Sequence, residues 1–378
     1  MNGLWRGFRD QTRRLFLTRR YQLMIALLFC MSSLSMQAYH QKLVFQLPVA
    51  VIDQDNSRIS RTIRTFIEST PEVALHAEEI QDLDEARELL IRGSLAAVVY
   101  IPSEFSSKIK KGTKGEILVL IDGANILVAK NVYKALSKSI GVVGAGIQLT
   151  MVKKYGVPKD RAMSKVLPVA VYENFMFNPY ANYSVYLAPI LIFFQLHVFV
   201  LIVAISLFVP AQRPDTTTEL IGAFQAILFW ALLIGLLFFY LYLPAEGIFA
   251  QSGFHIVLLA LGVFILLDIL MAAAIGSLIP SSFLAMEVTV VLGMLSMMLS
   301  GLTWPTDMFP PLVRWVSEVI PFTPFARGFR MFLHFPTGLA DMSDIYVQFG
   351  QQFLVFIFLI GFGAAAKRFL FPRILRSR

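Results

Sequence analysis

The chain has 378 residues, 56% of them hydrophobic and 15% charged, with a mean hydropathy of +0.65. That excludes an ordinary soluble protein with one core and requires membrane spans to account for much of the length. The net charge of +8 raises nucleic acid as a partner, but Lys and Arg cluster at both ends beside apolar runs, the pattern that sets membrane topology, so no nucleic-acid partner is expected.

Residues 1–20 place Leu4, Trp5, Phe8, Leu15, Phe16 and Leu17 among Arg6, Arg9, Arg13, Arg14, Arg19 and Arg20. This pattern predicts a basic amphipathic helix on an anionic, cytoplasmic leaflet. The apolar run that follows is longer than a signal-peptide core and lacks a clean small-residue cleavage site, so 21–40 reads as a retained first span. It holds the single cysteine, Cys30, which excludes an intrachain disulfide. Ser32, Ser33, Ser35 and Gln37 in its second half point to a surface facing protein.

Residues 41–182 have the composition of a folded α/β domain outside the membrane. Strands are predicted at 47–52, 73–77, 96–101 and 116–121, and helices at 58–68, 83–92 and 103–110, with a turn at 53–57 whose last residues cap the first helix. Alternation of this kind implies an α/β layer. A long helix over 125–155 and a returning strand over 168–175 complete it. Gly141, Gly144 and Gly146 sit inside the long helix without a preceding strand, which points to close helix packing rather than a nucleotide loop. The chain contains no phosphate-cradling Gly-x-x-x-x-Gly-Lys-Ser/Thr loop.

Further spans are predicted at about 184–209, 220–243, 255–279, 283–303 and 347–366, each long enough to cross roughly 30 Å of hydrocarbon. With the first, the fold class is an α-helical membrane protein of six transmembrane helices carrying an inserted α/β domain between spans 1 and 2. An even count puts both termini on one side, and the basic tail 367–378 makes that side cytoplasmic, with the inserted domain outside. Within 183–366, the segment 304–330 is rich in proline, with Leu312, Val313, Trp315, Val316, Val319 and Ile320 at helical spacing. It fits the outer membrane interface better than a span, with Trp304 and Trp315 at that depth.

Asp268 lies near the middle of the fourth span, where an ionisable group needs a partner or a cavity. His197 and Gln195 lie at similar depth in the second, so Asp268 with His197, or Asp268 with Gln195, forms an interhelical bond. A structural tie is the simpler role, and a proton relay or substrate contact the alternative. The histidines form no metal-ligand spacing, and neither a nucleophile-elbow motif nor a catalytic constellation is visible. In the loop 210–220, Thr216 with Glu219 fits a capping box that starts the third span.

Several motifs in order carry a resemblance: residues 47–57, Gly93 with 97–105, 121–125, Phe177-Asn178-Pro179, and the segment from Gly301 through Pro305 and Met308 to Pro310, ending at Pro321-Phe322-Thr323-Pro324. Together they resemble the permease subunits of type-2 ATP-binding-cassette exporters, in the branch with a large extracytoplasmic domain after the first span. The resemblance implies a bacterial inner-membrane location, a periplasmic inserted domain, and a second permease chain in a homo- or heterodimer. It also implies an ABC subunit that binds ATP and Mg, so that this chain holds no cofactor and is no enzyme; a periplasmic adaptor and outer-membrane channel are further possible partners, beside membrane lipid. Arg213, Thr218, Glu219 and Leu220 correspond to the family's ATPase-coupling loop, although Pro214 and Asp215 replace its charged run and its glycine is missing. Gly301, Trp304, Pro305, Met308, Pro310, Pro321 and Pro324 fall in the outer gate. The expected function is export of an amphipathic, lipid-like or drug-like substrate. The alternatives are a self-sufficient proton-coupled transporter using Asp268 and His197, and a membrane scaffold whose outer domain binds a partner.

Overall fold

The computed structural model describes residues 2–39, 46–76, 80–154, 156, 183–209 and 212–369. Two compact units make up the chain: Gln41–Tyr180, and Met1–His40 together with Ala181–Arg378.

The second unit opens with α1 (Asn2–Leu17) and α2 (Arg19–Ala38). Helix α1 buries Gly7, Gln11 and Leu15, one residue per turn, and exposes Trp5, Arg6, Arg9 and Arg13 on other faces. In α2, Ser32 is buried and Ser35 half-buried, while Gln37 is exposed, so the serines and not the glutamine face the protein.

Unit Gln41–Tyr180 contains β1 (Leu47–Asp53), α3 (Arg58–Glu68), β2 (Val73–Leu75), α4 (Leu83–Ile91), β3 (Ala97–Ile101), α5 (Phe105–Lys110), β4 (Leu118–Ile121) and α6 (Ile126–Lys154). The sheet runs β2-β1-β3-β4. β1 is parallel to β2 and to β3, with Val49 opposite Ala97, and β4 closes the edge antiparallel to β3. The central strands are covered on both faces, which is why they read as continuous apolar runs. Val49, Ala97 and Val99 pack with Ile63, Val132 and Leu136 from α3 and α6. Ala50, Ile52 and Val98 pack on the opposite side with Ala86 of α4. The predicted strand at 168–175 lies outside the described residues.

The turn after β1 is built as its sequence requires. Asp53 Oδ1 accepts from the amides of Asp55 and Asn56, each at 3.0 Å. Ser57 then caps α3 in a reciprocal box with Ser60. Asp55 Oδ1 accepts from the Ser106 amide at 3.1 Å and its hydroxyl at 3.0 Å, fastening the turn to α5. Burial alone would raise the Asp55 carboxyl, but hydrogen bonds from Ser57 and Ser106 hold it below the ordinary aspartate value. Gly93 ends α4 at φ +72°, a conformation that favours glycine.

The expectation of close packing at Gly141, Gly144 and Gly146 is corrected. A Cβ added at any of the three meets nothing within 4 Å. Gly141 and Gly144 lie off the face that α6 buries through Val132, Ala135, Leu136, Ser139 and Val143, and Gly146 is exposed.

In the other unit a single turn, Tyr183–Tyr186, leads into α7 (Ala188–Ser206). Helix α8 (Thr217–Leu237) continues through a π-helical turn, Phe238–Tyr242, to Leu243–Ala245. Then follow α9 (Phe254–Leu278), α10 (Ser282–Leu299), α11 (Pro311–Val319), α12 (Phe322–His334) and α13 (Ser343–Phe369). Among the described residues seven helices are long and apolar enough to cross a membrane, one more than the predicted six spans, and the additional one is α6. Helices α7 and α9 form the centre, with 72% and 67% of their apolar windows buried, against 22% for α2 and α10. Both are apolar around their whole circumference, as central helices are. They are joined through α12 by a cluster of rings, in which Phe264 stacks on Phe325 at 4.0 Å and Phe193 meets Phe329 at 5.0 Å.

Candidate functional site

Three constructions in the helical unit go beyond ordinary packing. The first is the crossing of α1 over the start of α8. Thr216 caps α8 by accepting from the Glu219 amide at 3.2 Å, and the Glu219 carboxylate reaches back to the Asp215 amide at 3.2 Å. The expected cap is therefore present, but the box is not closed, because the Glu219 carboxylate bonds the Asp215 amide and not that of Thr216. The same carboxylate pairs with Arg6 of α1 at 3.4 Å. Glycines bring the backbones together: a Cβ on Gly7 would overlap the Glu219 carbonyl, and one on Gly222 would overlap the Leu4 carbonyl. Further along, Arg14 donates to the Gln212 carbonyl at 2.7 Å, and Trp230 Nε1 to Thr12 Oγ1 at 3.1 Å. The Tyr21 hydroxyl lies 2.7 Å from both Ser206 Oγ and Gln212 Oε1. Helix α1, residues 212–216 and α8 are thus one fastened body.

The second construction is the broken segment between α10 and α13. Gly301, at φ +82°, turns the chain out of α10. Trp304, Pro305, Met308 and Pro310 are exposed, whereas Pro321 and Pro324 are buried. The sequence leads one to expect interfacial placement throughout, and α11 fits this, with Leu312 and Trp315 exposed. Helix α12 does not: Phe322, Phe325, Phe329 and Phe332 are all buried among α7, α9 and the π-turn. Its apolar face is wider than an interface needs, because it plugs the bundle. The break at Ile320 frees backbone carbonyls, which an apolar surrounding requires to be paired. Gln352 Nε2 of α13 donates to the Glu318 carbonyl at 2.7 Å and the Ile320 carbonyl at 3.1 Å. Gln348 donates to the Glu318 carbonyl at 3.3 Å and accepts from Arg327 at 2.6 Å. Gln352→Leu is expected to lower stability by about 1 kcal/mol, the net worth of a lost hydrogen bond, because the Glu318 carbonyl keeps Gln348, the Ile320 carbonyl keeps the Thr323 amide, and the unpartnered Gln352 Oε1 is removed with the side chain. Thermal unfolding in lipid discs reads this, and an unchanged midpoint would remove the capping role.

The third is a buried polar chain across α7, α9 and α10. His197 Nδ1 lies 2.9 Å from Asp268 Oδ1, and Nε2 lies 3.0 Å from Ser296 Oγ. All three residues have 0% exposure. The ring stacks against Phe264 at 5.8 Å and Phe322 at 5.4 Å, two rings that also touch each other at 6.2 Å. Ser296 Oγ donates its one proton to the Leu292 carbonyl at 2.8 Å, so the imidazole donates from Nε2 to the serine oxygen. Gln195 does not join this chain. It faces α2, where it accepts from Ser32 Oγ at 2.9 Å and donates to Ser35 Oγ at 2.8 Å. The two polar pairings weighed for Asp268 thus resolve to His197.

The family of ABC-2 transporter proteins matches residues 19–366. The chain belongs to that family. No curated protein and no solved structure matches it. As an ABC-2 permease it is a multi-pass membrane component of an ABC transporter, and membership implies an ATP-binding partner subunit.

In the permease the four residues expected to form a coupling loop do not present a common surface. Arg213 and Thr218 are exposed, Leu220 is half-buried, and Glu219 is buried and engaged with α1. Gly7, Gly222, Ser296 and Gln352 had no reading from sequence. Gly3 and Gly7, four apart in an amphipathic helix, carried the one usable signal, since small residues at that spacing mark a close crossing. Ser296 and Gln352 are polar residues in apolar runs, and their partners lie too far away in sequence to be paired by pattern. Among the described residues no group of three or more His, Cys, Asp or Glu side chains could hold a metal ion.

Proposed function

We propose that the permease is the membrane half of an ATP-driven exporter that moves an amphipathic, lipid-like or drug-like substrate out of the cytoplasm or inner leaflet. ATP and Mg are bound, and ATP hydrolysed, by a separate ABC subunit. Six helices cross the membrane: α2, α7, α8, α9, α10 and α13. The seventh apolar helix, α6, belongs to the periplasmic unit; in support, it directs Val132, Leu136 and Val143 into the core of the sheet. Both termini are cytoplasmic, in keeping with the arginines of α1, with Arg213 between α7 and α8, and with the absence of Lys and Arg from residues 244–253. A second permease chain completes the path, and the segment 304–330, entered at Gly301, is its outer gate. A periplasmic adaptor and outer-membrane channel complete the export route.

The observation that carries this reading is the glycine crossing of α1 and α8. Two backbones in contact transmit displacement without slack, so force applied by an ATPase at α1 or at 212–220 passes directly into the bundle. Arg213 and Thr218 supply an exposed face beside that crossing. The Asp268–His197–Ser296 chain ties the helices that must move together, and its enclosure favours this role over a relay.

The test is purification of the tagged chain from its native membrane in mild detergent, with mass spectrometry of stoichiometric companions. An ATP-binding subunit is expected, its retention cut at least tenfold by Arg213→Glu with Thr218→Lys. A chain that emerges alone and still moves substrate in vesicles without ATP would overturn the proposal in favour of the proton-coupled reading.

A further inference from the structure

In the unit Gln41–Tyr180, residues 105–119 and helix α6 enclose a groove of about 720 Å³. This lies within the roughly 300–1,000 Å³ of small-ligand sites. Along α6 the wall consists of Tyr133, Leu136, Ile140, Gly144, Ile147 and Met151, a stripe at three- and four-residue spacing. Phe105, Ile109, Ile117 and Val119 contribute the facing wall. At 1.5 Å per residue the stripe runs about 27 Å, an elongated shape that suits an extended acyl chain.

Two glycines make the groove. Gly141 and Gly144 line it, and among the described residues nothing lies within 4 Å of where their Cβ atoms would be. A helix interior favours alanine over glycine, so open glycines along one face are a local loss that packing does not explain. The surroundings are basic. Segments 105–119 and 133–151 carry Lys108, Lys110, Lys111, Lys114, Lys134 and Lys138 against a single acidic residue, Glu116. Lys114 lines the groove itself, 3.3 Å from Glu116.

We infer that this groove binds a single-chain amphiphile with an anionic head, a long-chain carboxylate, its tail along α6 and its head at the lysines around Lys114. Apolar walls bury the tail, and a cationic rim orients the head. The inference goes beyond the transport reading, since binding here needs neither ATP nor an ATPase.

The full chain in discs of zwitterionic lipid, without nucleotide, is exposed to a long-chain fatty acid bearing a photoreactive diazirine at its tail end, and labelled peptides are mapped by mass spectrometry. Labelling is expected to concentrate in residues 105–119 and 133–151 and to fall at least tenfold in Gly141→Leu/Gly144→Leu, which fills the groove. Gly144→Leu alone serves if the double variant does not fold. Lys111→Gln/Lys114→Gln should weaken labelling by the carboxylate several-fold while leaving that by the matching fatty alcohol unchanged. Labelling confined to the spans, or undiminished in the leucine variants, overturns the inference. So does a groove found filled by another segment of the chain. Because no ATP is present, failure here leaves the transport reading untouched, and failure to find an ATPase leaves this one untouched.

Discussion

Replacing His197 with alanine is expected to destabilise the permease by about 3–5 kcal/mol, the cost of leaving one member of a buried pair without its partner. Asp268 has no exposure, and its Oδ2 already lacks a hydrogen bond, so removal of the imidazole leaves the whole carboxyl unpaired. The geometry also predicts which substitution is tolerated. Since Nε2 donates to Ser296, the chain carries no net charge in two arrangements: a neutral Asp268 donating to Nδ1, or an imidazolium facing a carboxylate. Asp268→Asn reproduces the first, with its amide donating to Nδ1, and is expected to stay within about 1 kcal/mol of the native chain. Asp268→Leu removes the partner and is expected to fall between the two. Unfolding midpoints in lipid discs order the three variants. Transport by the Asn variant decides the role: near-native transport supports a tie between helices, while its loss in a well-folded Asn variant would show that Asp268 moves a proton or touches substrate.

Gly7→Leu, or Gly222→Leu, is expected to detach α1 from α8. The overlap is with backbone, which cannot rotate aside as a side chain can. The loss should therefore reach or exceed the upper end of the roughly 1–3 kcal/mol typical of overpacking. Detachment also breaks the Arg14 to Gln212 and Trp230 to Thr12 bonds. Trypsin cleavage at Arg6, Arg9 and Arg13 should accelerate at least tenfold, and ATP-driven transport should be lost although the spans still insert. Arg6→Ala is the contrast. Its ion pair with Glu219 is largely open to solvent on the arginine side, so a change below about 1 kcal/mol is expected. Unaltered cleavage in Gly7→Leu would refute the rigid crossing and, with it, the route proposed for force.

What was legible in the sequence was set by neighbours along the chain. Period and length place α2, α7, α8, α9, α10 and α13 close to the predicted spans, and the caps at Ser57, Thr216 and Gly93 stand where side-chain chemistry requires them. Strand and helix alternation foretells the α/β unit, because each element reveals its own buried face. Apolar length alone, however, does not separate a span from a long helix that covers a sheet. Helix α6 meets the same criteria as the spans, and only its burial of Val132, Leu136 and Val143 against the strands shows where its apolar face goes.

The amino-acid order thus determined membrane character, element order and local caps, all of which depend on residues within a few turns of one another. Tertiary structure decided the rest: His197 with Asp268 and Ser296, the glycine contact of α1 with α8, the insertion of α12, and the open face over Gly141 and Gly144. Each of these depends on which surfaces meet across tens or hundreds of residues. A glycine that admits a neighbouring backbone and one that opens a groove are the same letter in the sequence. They differ only in whether another chain segment arrives above them.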